Sequence, residues 1–181
     1  MVNQDGVLKY LIVSIEKHPE HLGVQKQVAG VLHYLTKGSK SRPASCDICI
    51  AIINKQFIIV LFKALKWSNA NLRSLTKAER VGARGSCFGD LVEYVCSTLR
   101  NLVVGLNDPL YATERWRLED DNTEKAEERK RLQKEIKKQM KNGERLNHIS
   151  KAKEYIVGCS FEKTASFAVE NLLNILKIEK S

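Results

Sequence analysis

One pattern of apolar spacing occurs three times along the chain and constrains its fold more than any other feature. The copies are Val28-Ala29-x-x-Leu32-His33-Tyr34-Leu35, Val95-Cys96-x-x-Leu99-Arg100-Asn101-Leu102 and Ala168-Val169-x-x-Leu172-Leu173-Asn174-Ile175. Apolar residues that recur every three to four positions line one face of an α-helix. Because such a face is too large for a helix pair to bury alone, the pattern predicts helices that stack on one another.

The segments that precede these copies also resemble one another. Gly6-Val7-Leu8-x-x-Leu11-x-x-x-Ile15 aligns with Gln56-Phe57-Ile58-x-x-Leu61-x-x-x-Leu65, and a weaker counterpart contains Leu146, Ile149, Ala152 and Ile156. Each copy is therefore expected to be the second member of an antiparallel helix pair. Leu32, Leu99 and Leu172 are expected to occupy equivalent buried positions.

Helical spacing and end signals predict most of the remaining elements. We expect helices over residues 6–15, 24–35, 44–53, 57–66, 91–104, 124–141, 144–157 and 163–176, and a loop over 39–43. Residues 67–90 contain three glycines and are predicted as a longer connector, with a flexible loop over 81–89. Within this connector, Thr76-Lys-Ala-Glu79 has the spacing of a capping box, which predicts the start of a short helix.

The composition fits an all-α globular protein. Apolar residues make up 43% of the 181 residues and charged residues 28%, which is enough to bury a core. The β-branched run over 48–61 also fits strands, but strands there would lack pairing partners in an otherwise helical chain. The longest apolar runs are far shorter than the roughly 20 residues that span a bilayer, and the N-terminus shows no secretory signal. No membrane partner is therefore predicted.

The repeated patterns resemble the armadillo family of helical repeats. Asp5-Gly6-Val7-Leu8-x-x-Leu11 is similar to the start of the family's second helix, and Val24-Gln25-x-x-Val28-Ala29-x-x-Leu32-x-x-Leu35 to its third helix. The resemblance covers residues 1–104 well and 143–176 loosely. It departs from the family in spacing, because the third-helix motifs lie 67 and 73 residues apart instead of about 40. Segments 67–90 and 111–141 are therefore expected to be insertions or lost first helices.

The resemblance implies a short armadillo-like α-solenoid of stacked helix pairs with a charged helical insertion. Residues 1–110 would form the repeats, 111–142 a charged linker and basic helix, and 143–181 a C-terminal helix pair that completes the stack. The alternative is an irregular all-α bundle whose leucine spacing imitates a repeat.

The resemblance also implies a binding surface. Successive third helices of such repeats form a concave face that binds extended peptides or partner surfaces, often through an Asn that holds the peptide backbone. Asn101 and Asn174 fall at that position in the second and third copies, and Tyr34 in the first. Together with the neighbouring Arg100, these are the predicted partner-binding residues. The alternative is an Asn that is merely exposed on a helix.

The charge of the chain changes sign sharply after Glu128. Residues 114–128 carry 3 basic and 7 acidic side chains, whereas 129–141 carry 7 basic and 1 acidic, in a chain of net charge +9. A helix this basic predicts contact with nucleic acid, another polyanion or an acidic protein surface. The candidate residues are Arg129, Lys130, Lys134, Lys137, Lys138 and Lys141. The alternative is a solvated helix whose cations face the acidic segment.

The same helix carries one apolar stripe, which consists of Leu132, Ile136 and Met140. These residues recur every four positions and so lie on one side of the helix over about three turns. Such a stripe can dock the helix either on the rest of the chain or on a partner.

No motif in the sequence predicts a catalytic residue, a metal site or a cofactor. Cys46 and Cys49 have CxxC spacing, but zinc would need two further ligands, so we expect small apolar residues on a buried helix. His18 and His21 lie in a tight inter-helix loop with no nucleophile nearby. The five cysteines are expected to be reduced thiols, because no secretory signal precedes them.

These patterns favour a non-catalytic protein that binds other proteins. The family resemblance suggests a larger assembly, including a cytoskeletal or ciliary one, and the cytoplasm is the expected location. A module that binds nucleic acid or another polyanion through residues 129–141 is the second candidate. An enzyme with an unrecognised site is the third.

Overall fold

The computed structural model describes residues 4–37, 46–54, 56–105, 123–159 and 162–177, and all regular structure within them is α-helical. The helices are α1 (Gln4–Lys17), α2 (Leu22–Lys37), α3 (Cys46–Asn54), α4 (Phe57–Ser74), α5 (Lys77–Val81), α6 (Ala83–Gly105), α7 (Thr123–Met140), α8 (Gly143–Tyr155) and α9 (Glu162–Lys177). The all-α prediction is confirmed for these ranges. None of these helices combines the length and the apolar character that a membrane span requires. The loop predicted over 39–43 lies outside the described residues.

The corner between α1 and α2 shows why both helices end where the sequence predicts. α1 stops at Lys17, two residues before Pro19, which disfavours helical backbone in the residue before it. The side chain of Gln25 is buried and donates to the carbonyl oxygens of Ile15, at 3.3 Å, and His18, at 3.1 Å. The side chain therefore links the start of α2 to the end of α1, and it pairs the carbonyl of Ile15, which cannot accept from Pro19 because proline has no N–H.

The β-branched run over 48–61 forms two helices, as predicted, and they are separated next to Asn54. Gln56, immediately before α4, has a positive φ of 61°, which turns the chain between the two helices. The apolar side chains of this run lie in the core, since Ile52, Phe57 and Leu61 are all fully buried. Because the two helices bury these side chains, residues 48–61 need no neighbouring strands to pair with.

The predicted connector over 67–90 is wrong, because most of this segment is helical. α4 continues to Ser74, α5 follows directly, and α6 begins at Ala83. The capping box is confirmed: the backbone N–H of Thr76 donates to Glu79 Oε2 at 2.9 Å, and the N–H of Glu79 donates to Thr76 Oγ1 at 3.4 Å. The short helix α5 therefore starts at the residue that the sequence indicates.

Tertiary packing explains why this segment is helical despite its glycines. Gly85 lies buried inside α6, and a Cβ at that position would overlap the backbone carbonyl of Arg80. The glycine thus allows α6 to cross α5 closely instead of ending a helix. Further along α6, the ring of Phe88 is buried and packs 5.4 Å from that of Trp67 on α4. The flexible loop predicted over 81–89 is corrected for the same reasons.

The three helix pairs that the sequence indicates are in contact, although α6 packs most extensively on α2 and α9. α1 packs on α2, α4 on α6, and α8 on α9. The ring of Trp67 on α4 packs on that of Phe88 on α6, and a 2.8 Å ion pair between Lys153 and Glu170 joins the last pair. The predicted pairing of these helices is therefore present, and their antiparallel direction stays a prediction.

The pairs pack against one another in a consistent order. The second members lie side by side, with α6 in contact with α2 and with α9, and the first members likewise bring α4 against α1 and α8. Leu32, Leu99 and Leu172, the leucines of the three sequence copies, are each 0% exposed. The predicted burial of all three is confirmed, and the core lies between the two sets of helices.

The basic helix α7 packs on the same body. Its apolar stripe is covered, because Leu132 is 7% exposed and Ile136 and Met140 are 0% exposed, and α7 contacts α3 and α6. The stripe thus docks this helix on its own chain. Next to it, Asn142 caps α8 by accepting from the N–H of Glu144 at 3.0 Å.

Candidate partner-binding surface

The line where α2 and α6 meet, here called the seam, brings three of the predicted partner-binding residues onto one surface. At its first end, Lys26 Nζ lies 3.2 Å from Asp90 Oδ2. At its other end, Asn101 Nδ2 donates to Thr36 Oγ1 at 3.4 Å. Low-numbered residues of one helix meet low-numbered residues of the other, so α2 and α6 run parallel along the whole seam.

An aromatic cluster occupies the middle of the seam. The ring of His33 stacks on Tyr94 with centroids 5.6 Å apart at 23°, and it meets the edge of Tyr34 at 5.4 Å. Tyr34 and Tyr94 are themselves 6.5 Å apart. Gly30 lies beneath Tyr94, where a Cβ would come within 3.3 Å of the ring, so the glycine lets the ring lie close to α2. Tyr34 is 68% exposed and offers an aromatic surface to solvent.

Burial favours the uncharged forms of His33 and Tyr94. Desolvation, with a smaller contribution from the charge of Lys37, lowers the pKa of His33. Desolvation also raises the pKa of Tyr94, and the nearby Tyr34 and Asp90 act in the same direction. His33 Nδ1 is buried without a hydrogen-bond partner in the described part of the chain. Neutral rings with one polar exposed phenol suit contact with an apolar or aromatic side chain.

Asn101 lies at the predicted position, but its amide already has partners within the chain. It donates to Thr36, and its Oδ1 accepts from Arg100 Nη1 at 3.5 Å. Both distances are at the long end for hydrogen bonds, so both bonds are weak. Arg100 Nε is buried with no acceptor among the described residues. Thr36 is held in place because its hydroxyl donates to Leu32 O at 2.9 Å.

Asn174, the fourth predicted residue, lies on α9 rather than at the seam. It is exposed, and it shares a helix face with Phe167, which lies about two turns earlier and is 68% exposed. α9 packs on the side of α6. The exposed face of α9 therefore adds a second exposed aromatic side chain and a second amide.

The sequence-based prediction missed the buried ring of His33 and the accessible side chains of Tyr94 and Phe167. The repeat alignment could have identified two of them. Tyr94 immediately precedes Val95 in the second copy, and Phe167 immediately precedes Ala168 in the third, so both aromatic residues hold the same aligned position. Gln27 holds this position in the first copy. The stacking of His33 on Tyr94 had no such signal, since it depends on the register of two helices far apart in sequence.

The predicted polyanion-binding residues lie on α7 or, for Lys141, just after it, and α7 packs on α3 and α6. Lys134 and Lys138 are exposed, and Lys137 and Lys141 are half-buried. The side chains of Arg129 and Lys130 lie outside the described residues. Arg131, which the prediction omitted, is exposed beside Lys134.

The remaining motifs have structural roles where they are described. Cys49 is 3% exposed in the core, and the side chain of Cys46 lies outside the description. His21 Nδ1 accepts from the N–H of Val24 at 3.2 Å and so caps the start of α2. Over the described ranges, the structure brings together no group of three His, Cys, Asp or Glu side chains suited to hold a metal ion.

No family model, curated protein or solved structure matches the chain. The resemblance to armadillo repeats therefore depends on the sequence patterns, and the arguments that follow depend on the contacts described above.

Proposed function

We propose that this chain is a non-catalytic protein–protein interaction scaffold or assembly subunit, which binds a partner on the exposed face of α2, α6 and α9. The helix pairs would form a short armadillo-like solenoid, and this face would be its concave side. The occupant would be an extended segment of a partner protein.

The order of the helix pairs supports the solenoid. In a stack of helical repeats, equivalent helices lie side by side and each repeat contacts its neighbours. α2, α6 and α9 each contain one copy of the repeated pattern, and α6 packs between the other two. Part of the extra sequence spacing forms α5 and α7, both of which pack on α6, and α6 still contacts α2 and α9.

The observation that carries the binding proposal is the chemistry of the seam. Tyr34, which is 68% exposed, lies at 5.4–6.5 Å from the rings of His33 and Tyr94, so a large aromatic surface is fixed in place without a covering residue among those described. Tyr is enriched at the energetic centres of protein interfaces, and it loses little conformational entropy on binding. The Asn101 amide, at the far end of the seam, can donate to and accept from a peptide group.

Selection from a displayed library of random peptides tests the proposal. Peptides enriched on the wild-type chain should lose about tenfold or more in affinity against Tyr34→Ala, which corresponds to about 1.4 kcal/mol. Tyr10→Ala is the matched control, because Tyr10 is 77% exposed on α1 and lies off the proposed face. Affinities that are unchanged by Tyr34→Ala, or equally reduced by Tyr10→Ala, would contradict a binding site at the seam.

A further inference from the structure

α7 carries a ridge of cations, here defined as Arg131, Lys134 and Lys138, that the rest of the molecule holds outward. The apolar stripe opposite the ridge is buried against α3 and α6. At 3.6 residues per turn, Lys134 and Lys138 lie about 160° around the helix from the buried Ile136, one on each side. The three cations therefore project away from the core on a helix that cannot rotate without exposing its stripe.

The ridge has no ion-pair partner in the parts of the chain that the structure describes. All three side chains are exposed. The one carboxylate among residues 129–141, Glu135, accepts from Gln139 Nε2 at 3.1 Å on its own helix. Because unpaired cations on a fixed helix repel one another, an anionic partner gains from both attraction and relief of that repulsion.

The chemistry of the ridge selects among anionic partners. Every exposed side chain described on α7 is charged, whereas the centres of protein interfaces are depleted in Lys and rich in aromatic residues. Binding of single-stranded nucleic acid uses aromatic side chains on which bases stack, and the ridge has none. A membrane-surface helix inserts its apolar face into lipid, but here that face is packed on the protein. Contacts to duplex phosphates need only positioned cations.

We infer that the ridge binds the phosphate backbone of double-stranded nucleic acid without reading its sequence. The ridge contains no residue of the seam, so this site is distinct from the proposed protein-binding face. Three neutralised phosphates predict that log Kobs falls with log salt concentration at a slope of about −2.7, since each phosphate contributes about −0.9. The net charge of +9 adds long-range attraction at low salt.

Fluorescence anisotropy with a labelled DNA duplex of mixed sequence, titrated at several salt concentrations, tests this inference on the full chain. The triple variant Arg131→Glu, Lys134→Glu and Lys138→Glu should lose at least tenfold in affinity. The control variant Lys9→Glu, Lys63→Glu and Lys163→Glu makes the same change of net charge on exposed lysines of α1, α4 and α9, and it should retain most of the binding. The double variant Lys134→Gln and Lys138→Gln removes two charges without reversing them. It should reduce the magnitude of the slope of log Kobs against log salt concentration by about 1.8, and this measurement still tests the inference if the triple reversal disturbs folding.

Three results would overturn the inference. One is the absence of duplex binding at low salt, and another is an equal loss of affinity in the ridge and control variants. The third comes from competition, in which polyglutamate of matched charge displaces the labelled duplex at a lower concentration than unlabelled duplex does. The ridge would then favour an acidic protein over nucleic acid.

Discussion

His33 combines a polar ring with a buried position. Its ring is 9% exposed between two tyrosines, and its Nδ1 has no partner among the described residues. An unpaired buried nitrogen costs free energy, whereas an aromatic stack recovers part of that cost. Because the ring of His33 contacts both Tyr34 and Tyr94, it holds these two side chains in place, and the shape of the seam depends on it.

The stability of the protein should therefore depend on the protonation of His33. Burial lowers its pKa from the ordinary value of 6.5, so the unfolded chain binds a proton more readily than the folded one. The free energy of unfolding should fall as the pH drops below about 6.5 and be insensitive to this group above that value. The melting temperature of the wild type should therefore fall between about pH 8 and about pH 5, partly because His33 takes up a proton on unfolding. His33→Gln should remove that part of the fall.

A His33→Gln profile that stays parallel to the wild type over the whole range would show that His33 does not titrate as its burial requires.

At the scale of single helices, the junction of α5 and α6 shows what sequence patterns can and cannot predict. The capping box at Thr76 is local chemistry, so the start of α5 was predictable. From the sequence alone, Gly82, Gly85 and Gly89 predict a loop, because glycine weakens an isolated helix. The close crossing at Arg80 requires a glycine at position 85, and that requirement depends on tertiary contacts that no local pattern contains.

Two glycine substitutions test this explanation. Gly85→Ala should destabilise the protein by about 1–3 kcal/mol, as expected when added atoms meet a packed backbone. Gly143→Ala, at the start of α8, places its methyl group where nothing lies within 4 Å and should be neutral or stabilise by up to about 1 kcal/mol. Denaturant unfolding of both variants measures the difference. Equal effects would mean that the α5–α6 contact does not constrain position 85.

At the scale of the whole molecule, repetition in the sequence predicted more than any single motif. The alignment of Leu32, Leu99 and Leu172 predicted three buried positions, and all three are buried, because helical periodicity reports which face is apolar. The candidate site was predictable only in part. Tyr34 and Asn101 follow from the alignment, but their link through Thr36 and the stack of His33 on Tyr94 arise from the register of α2 against α6.

The central claim is that a protein partner lies along the seam, and site-specific photo-crosslinking tests it most directly. A photoreactive amino acid at Ser97, which is half-buried on α6 between Tyr94 and Asn101, should crosslink to a peptide selected on the wild-type chain. The same amino acid at Lys63, exposed on α4, should not. Crosslinks from position 63 with none from position 97 would contradict the proposed binding face.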